Sequence, residues 1–494
     1  LRSPTTMVKQ TIPLLFDAAV EAVPSNTWLL HEDRSFTYEE AQHAISAGAA
    51  ALADRGVSQG DLVLVTLRNS PEYLFTWLAL MRLGAILVAA NPASPEAELA
   101  GLRAQTEPRL VVDDSEVADL FAGGGDGPRA DVEPEDPAVL IPTSGTTGRS
   151  KLVTQTHLAY VMAGEGFPWW LELTADDRLM TSLPLFHINA PAYSVLGSVT
   201  AGASLVLLPR FSASTFLDSA RHSGATEFNA IGAMIEMLML QPERDDDADN
   251  PLRLCYTGPA PPEERHLEIE RRFGVRITSG YAMSETPYGT VWRRGTRPYG
   301  TLGSIRQHPT LGEINEGRVL AEGKPVAAGE VGELELRNPA VMKGYWGMPE
   351  ETAKVLGPDG WLKTGDVVRD NGDGTYTFIG RQKEVIRRRG ENLAPAEVEE
   401  ALVSHPDVIE VAVVGVASEL SEEEVKAFVV LAAGATADLP GLHAWAAERL
   451  ARFKVPRYLE VVGELPHTPT GRIAKHQLER ERNESEWDAE RSRG

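Results

Sequence analysis

The stretch Ala138-Val139-Leu140-Ile141-Pro142-Thr143-Ser144-Gly145-Thr146-Thr147-Gly148-Arg149-Ser150-Lys151 decides how the rest of the chain is read. Its four apolar residues predict a short buried strand, which Pro142 closes. Gly145 and Gly148 then free the backbone to turn sharply, so that successive N–H groups can face one concavity and bind an anion. The hydroxyls of Thr143, Ser144, Thr146 and Thr147 add donors, and Lys151 supplies a cation at the far end. The pattern differs from the Walker loop, which needs Gly-x4-Gly-Lys-Ser/Thr, but the chemistry is that of a phosphate cradle. Ser, Thr and Gly also dominate ordinary turns, so the stretch alone leaves a solvated turn open.

At 494 residues the chain predicts two or three domains. With 43% hydrophobic and 24% charged residues it has a globular composition. No apolar run is long enough to cross a bilayer, and Met7 reads as a natural start with no charged-then-apolar leader before it. A net charge of −24 argues against a nucleic-acid backbone as the main partner, while a small phosphate ligand needs only a locally positive loop. The single cysteine, Cys255, cannot form an internal disulfide, which fits a reducing cytoplasm, and its apolar neighbours predict a small buried hydrophobe.

Outward from the loop, helix and strand signals alternate through the first third. Thr37-x-x-Glu40 is a capping box opening a helix that ends near Gly56, and Ser70-Pro71-Glu72 starts a second helix with Pro at its first position. Residues 62–67, 86–90 and 110–112 read as strands, so parallel sheets covered by helices are expected. Past Gly300 short β segments take over, with Asp370-Asn371-Gly372-Asp373-Gly374 as a hairpin turn. After Gly380-Arg381 a compact α+β unit is expected, with a helix from about Pro395, and the polar residues 483–494 read as a disordered tail.

Four further stretches carry chemistry. Pro184-Leu185-Phe186-His187-Ile188-Asn189-Ala190 sets a histidine on an apolar wall. Ser279-Gly280-Tyr281-Ala282-Met283-Ser284-Glu285-Thr286 puts an aromatic face, a hydroxyl and a carboxylate within five positions, suited to a stacked base, a phosphate oxygen and a magnesium ion. Trp361-Leu362-Lys363-Thr364-Gly365-Asp366 offers a carboxylate after a tight turn, able to grip a ribose diol. Gly380-Arg381-Gln382-Lys383-Glu384 leads into Gly390-Glu391-Asn392.

In this order the motifs resemble those of the adenylate-forming superfamily of acyl-CoA synthetases, peptide-synthetase adenylation domains and luciferases. The texture is most like that of carnitine/crotonobetaine-type and medium-chain CoA ligases, and the resemblance spans about Leu14 to about Leu478. It implies a multidomain α/β fold: two parallel-rich sheet-and-helix subdomains plus a β-barrel within residues 7–380, and a small mobile α+β C-terminal domain over 381–482. It implies that Thr143 to Lys151, through Ser144, Gly145, Thr146, Thr147 and Gly148, hold the β- and γ-phosphates of ATP. Tyr281 would stack on adenine with Gly258, Pro259 and Ala260 on its other side. Ser284 would touch the α-phosphate, Glu285 would hold Mg²⁺, and Asp366 with Arg381 would bind the ribose hydroxyls. His187 would stand where the nucleotide and acyl sites meet, and Lys383 would be the hinge.

The implied activity is ATP-dependent activation of a small or aromatic carboxylic acid as acyl-AMP, with pyrophosphate released, and transfer to CoA. Arg387-Arg388-Arg389 could meet CoA phosphates. The chain departs from the pattern near its end, where relatives have Gly-Lys and this chain has Gly471-Arg472-Ile473-Ala474-Lys475. The catalytic lysine's place thus falls to Arg472, or to Lys475 reaching in; a guanidinium keeps the charge but changes the geometry. Ala282, where Gly is usual, narrows the acyl pocket by a methyl group, and Trp169, Trp170, Tyr193 and Tyr288 are candidates for its walls. Two alternatives follow: the ligase-like diazotases, which activate nitrite for attack by an aromatic amine, and a nucleotide-binding protein without turnover.

Overall fold

The computed structural model describes residues 10–121, 125–143, 150–258, 260–382, 384, 386–388, 391–417, 423–432, 434–436, 438–467, 473–481, 483 and 485–490. Of the residues singled out above, Ser144, Gly145, Thr146, Thr147, Gly148, Arg149, Pro259, Lys383, Arg389, Gly390, Gly471 and Arg472 lie outside the described residues. The chain groups into two packed units. The first comprises Leu1–Arg318, Glu335–Lys363 and Asp373–Tyr376; the second comprises Val319–Leu334, Thr364–Gly372 and Thr377–Gly494.

The first unit carries two sheets with the expected parallel cores. The larger has nine strands, with Arg276–Met283, Leu254–Gly258, Glu227–Ile231, Arg178–Thr181 and Ser204–Leu207 lying side by side and parallel. The smaller has six, with Pro137–Thr143, Ile86–Ala89, Leu62–Val65 and Leu110–Val112 running parallel out to one edge. Both read as near-continuous apolar runs because helices cover their faces. Helix Tyr38–Asp54 opens with the capping box, Thr37 accepting from Glu40 N while the Glu40 carboxylate accepts from Thr37 N, worth about 1 kcal/mol. Helix Pro71–Leu83 starts with Ser70 as its cap and buries nearly every residue, including Tyr73, Leu74, Trp77 and Met81, so it lies inside the unit.

Pro142 does not end its strand, which continues to Thr143. The Ile86–Ala89 neighbour pairs only at Val139 and Leu140, so the missing N–H of Pro142 costs no bond on that side.

The second unit takes most of a five-stranded sheet, ordered Lys324–Pro325, Glu316–Ala321, Val331–Arg337, Leu362–Asp370, Tyr376–Arg381, with the turn at 371–375 where the sequence predicts it. It also holds a four-stranded sheet whose long hairpin, Val408–Ala417 and Glu423–Leu431, packs against helices Pro395–Val403 and Leu439–Arg449 through Val398, Leu402, Val413, Val429, Leu442 and Ala446. A large N-terminal α/β part is thus followed by a smaller C-terminal α+β domain. Within the tail expected to be disordered, the described residues 485–490 are built in: Trp487–Asp488 pairs with Tyr458–Val461, and Glu486 joins Glu460 around the fully buried Lys426 ammonium, at 3.1 and 2.9 Å. Polar composition misled there, because those charges neutralise a buried cation.

Candidate active site

In the first unit Thr143 and Lys151 face each other across an antiparallel strand pair, and Thr143 Oγ1 donates to Lys151 O at 3.2 Å. The two ends of the proposed cradle are therefore pinned by sheet structure. Lys151 Nζ lies 2.7 Å from the Glu351 carboxylate and 4.7 Å from the centre of the Tyr345 ring. Lys151, and then Lys354, hold the Glu351 carboxyl down at about 2. Tyr345 comes to Lys151 because the short strand Gly344–Tyr345 pairs antiparallel with Lys151–Thr156.

The segment expected to hold adenine ends strand Arg276–Met283, which is buried through Gly280 and becomes half-exposed from Tyr281. Ser284 and Glu285 form the turn into strand Thr286–Val291, and Met283 faces Thr286 across it. Gly258 ends the neighbouring strand, and a Cβ there would lie 2.3 Å from Gly280 O, so only glycine lets the two backbones run this close. Ala260 lies just beyond, half-buried.

The turn is tied to the phosphate-loop strand. Gln155 Nε2 donates to Ser284 O at 2.6 Å, Met342 N to Glu285 O at 2.8 Å, and Tyr345 O–H to the Glu285 carboxylate at 2.9 Å. Tyr345 thus touches both the Lys151 ammonium and the Glu285 carboxylate. Nothing in the sequence flagged Tyr345, Gln155 or Glu351; only the strand pairing brings them in.

His187 sits in the link between strand Arg178–Thr181 and the π-helix Ala190–Val195, its N–H donating to Pro184 O at 3.1 Å and its ring 4.6 Å from that of Phe186. π-Helical turns widen a helix locally and recur at functional sites. Of the aromatic residues proposed as pocket walls, Trp170, Tyr193 and Tyr288 are buried and Trp169 is not: it is 38% exposed beneath Arg294.

In the second unit Asp366 is fully buried, and Arg381 Nε lies 2.6 Å from its carboxylate. The tight turn expected before Asp366 is a local kink within strand Leu362–Asp370, made by Gly365 at φ +71° and held by Gly365 N donating to Glu333 at 3.0 Å. Lys475 Nζ lies 2.7 Å from Glu399 and 3.4 Å from Glu384. Burial pushes the Glu399 carboxyl upward against the pull of Lys475. Arg388 does not present itself to a ligand: it is buried, 2.6 Å from Glu424, and donates to Phe453 O and Val455 O. The carboxylate expected to meet the metal is Glu285, and among the described residues no cluster of three metal-ligating side chains occurs. That donor set suits Mg²⁺, which binds through one or two carboxylates plus substrate phosphates and water. No helix among the described residues is long and apolar enough to cross a membrane.

Comparison with known proteins gives the family. The AMP-binding enzyme family matches residues 16–346, and the AMP-binding enzyme C-terminal domain matches residues 397–472. A crotonobetaine/carnitine–CoA ligase of Salmonella typhimurium is 31% identical over 488 residues, covering 90% of this chain and 93% of its own. The crystal structure of ATP-bound MatB from Rhodopseudomonas palustris superimposes with a TM-score of 0.87 at 27% identity, covering 94% of this chain and 98% of its own. O-succinylbenzoate coenzyme A synthetase from Bacillus subtilis, in complex with ATP and magnesium ion, gives 0.83 at 26%, covering 94% and 98%. Because the family model spans residues 16–346 and a curated relative is 31% identical over 90% of the chain, this chain belongs to the AMP-binding enzyme family.

Proposed function

We propose that this chain is an ATP-dependent, AMP-forming acid–CoA ligase. The observation that carries the proposal is Tyr345, which joins the phosphate-loop lysine to the metal-side carboxylate within one strand pairing. In the first step a carboxylate oxygen of the acid attacks the α-phosphorus of ATP. The bond from that phosphorus to the bridging oxygen breaks, and pyrophosphate leaves. Lys151 exchanges its contact with Glu351 for phosphate oxygens and meets the charge that develops on the leaving group, with residues 143–148 supplying donors. The Ser284 hydroxyl contacts the α-phosphate, Tyr281 stacks on the base between Gly258, Pro259 and Ala260, and the Asp366 carboxylate, held in orientation by Arg381, accepts from the ribose hydroxyls. Glu285, oriented by Tyr345, would hold Mg²⁺, which neutralises phosphate charge when bound. His187 borders the acid. In the second step the thiol of CoA attacks the acyl carbon and AMP departs.

The domain limits 7–380 and 381–482 belong to this proposal, as do closure of the five-stranded sheet into a barrel and a mobile C-terminal domain turning at Lys383 between the two steps. Partial closure is supported by Tyr376, which opens the last strand and exchanges backbone hydrogen bonds with Leu302 and Gly303. Arg472 takes the place of the C-terminal lysine; Lys475, engaged by Glu399 and Glu384, is the alternative. A reducing, cytoplasmic setting fits the buried thiol of Cys255, which burial pushes far above the ordinary range.

The test is ATP–pyrophosphate exchange over a panel of carboxylic acids and nitrite, followed by AMP release with and without CoA. Exchange with an acid, and AMP release that requires CoA, are expected. AMP formation from nitrite plus an aromatic amine without CoA would instead establish the diazotase chemistry.

A further inference from the structure

Behind the Gly280-Tyr281 segment lies a permanently charged group in an unusual setting. Arg306 is fully buried. Its guanidinium stacks over Trp170 at 4.5 Å and Tyr193 at 5.0 Å. Nε donates to Thr290 O at 2.9 Å, Nη1 to the Tyr193 hydroxyl at 2.6 Å and to Pro287 O at 2.8 Å, and Nη2 to the Tyr256 hydroxyl. All four acceptors are neutral, and among the described residues no carboxylate lies within ion-pair distance. A guanidinium cannot shed its proton, so a buried cation without a counter-charge costs several kcal/mol.

Donor capacity is left over beside it. Among the described residues one N–H of Nη2 has no acceptor, and the Tyr256 hydroxyl, which accepts from Arg306, donates to none. The Tyr288 hydroxyl is buried without a hydrogen-bond partner among the described residues, although burial holds its proton firmly in place. These groups border the expected acid site. Tyr193 lies on the π-helix that follows His187, Tyr256 precedes Gly258 by two residues, and Thr290 faces Tyr281 across the strand pair. A Cβ on Gly280 would fall 2.6 Å from the Tyr256 oxygen and 3.1 Å from Nη2. A cation with unspent donors, walled by aromatic rings, matches an oxyanion better than an alkyl chain.

We infer that Arg306, with the hydroxyls of Tyr256 and Tyr288, forms the anion-recognising end of the acid pocket, so that the acid this chain activates carries a second anionic group. The inference rests on the ligase reading above. It assigns the aromatic residues a different task from lining an apolar slot: they shield the guanidinium from water and so strengthen its pull on a buried oxyanion.

The experiment compares short dicarboxylic acids with their half-amides in ATP–pyrophosphate exchange, using the wild-type chain, Arg306→Met and Arg306→Lys. The wild type should prefer each diacid by roughly 10–100-fold in kcat/KM, the range of a hydrogen bond to a charged partner. Arg306→Met should lose that preference, mainly through KM for the diacid, and Arg306→Lys should keep part of it. Equal use of diacid and half-amide by the wild type, or a diacid preference that survives in Arg306→Met, overturns the inference and makes Arg306 a structural plug. Should Arg306→Met fail to fold, the wild-type preference decides alone. Calorimetric titration of the wild type with diacid and half-amide, which needs no turnover, separates the two levels. Absence of exchange with every acid counts against the ligase reading, whereas exchange confined to neutral monoacids counts against the role of Arg306 only.

Discussion

Tyr345→Phe isolates the contact on which the proposed phosphate side depends. The substitution deletes one oxygen, the donor 2.9 Å from the Glu285 carboxylate, and keeps the ring 4.7 Å from Lys151 Nζ. A hydrogen bond to a charged acceptor contributes about 1.5–3 kcal/mol, and the half-exposed position of Glu285 puts this one at the lower end. About 1.5 kcal/mol corresponds to roughly a tenfold loss of kcat/KM for ATP. The loss should appear chiefly as a raised magnesium requirement, because Tyr345 orients the carboxylate proposed to hold the ion. Tyr345→Leu removes the ring as well, and a further 0.5–1 kcal/mol, about two- to fivefold, should follow from the lost cation–π contact. Initial rates of ATP–pyrophosphate exchange across a magnesium titration measure both effects, with thermal melting as the control on folding. A Tyr345→Phe enzyme with unchanged magnesium dependence would show that Glu285 needs no orienting, and Phe and Leu variants of equal activity would remove the ring from the account of Lys151.

Glu285→Ala should abolish exchange and leave the melting temperature within a few degrees of wild type; retained exchange would sink the magnesium assignment. Lys383→Pro should slow thioester formation far more than adenylation, and equal losses in both steps would argue against a hinge there. Glu270 gives a pH prediction: burial pushes its carboxyl up, but His266, Arg297 and the Ile277 N–H prevail and hold it at about 2. Because the folded value lies below the unfolded one, its contribution is complete above about pH 4.5 and is lost as pH falls through about 2. A shift of that size corresponds to at most about 3 kcal/mol, so Glu270→Gln should flatten the acid limb of urea-derived stability between pH 4.5 and 2, and an unchanged limb would discount the cluster. Truncation after residue 484 should destabilise the second unit by a few kcal/mol, because it strips Glu486 from the buried Lys426 and bares the Tyr458–Val461 edge; an unaltered melt would return the tail to dispensable status.

The parts of this molecule that could be read in advance are those whose determinants are local. A capping box needs four consecutive residues, and Thr37 to Glu40 form it as the sequence predicts. Parallel strands announce themselves by unbroken apolar runs, and 62–65, 86–89 and 110–112 pair accordingly. The Tyr281 to Glu285 turn and the Asp366 strand are likewise short local runs, whereas loop residues 144–149 lie outside the described residues. What escaped is produced by register between distant strands. Tyr345 reaches Lys151 only because Gly344–Tyr345 pairs with Thr154 and Val153, nearly two hundred residues away in sequence. No periodicity encodes that partner. The tail illustrates the converse error: residues 485–490 look like a solvated end, yet their charge is spent on Lys426, a cation whose burial is invisible until the four-stranded sheet closes over it.

Arg306 carries the same lesson into function. In sequence it is one of many arginines, in a stretch of turns and short strands that invites a surface reading. Its burial follows from three separate elements: the π-helix that brings Tyr193, the strand that ends at Gly258 and brings Tyr256, and the strand Thr286–Val291 that offers Pro287 O and Thr290 O. Trp170, Tyr193 and Tyr288 were candidates for an apolar acyl pocket on residue type alone. The guanidinium among them reverses the polarity of that expectation, because a low-dielectric cage that weakens binding of a neutral chain end strengthens binding of an anion. The proposed ATP-side motifs say nothing of which acid is activated; the proposed determinant of that choice sits behind Gly280. In this chain it is a cation.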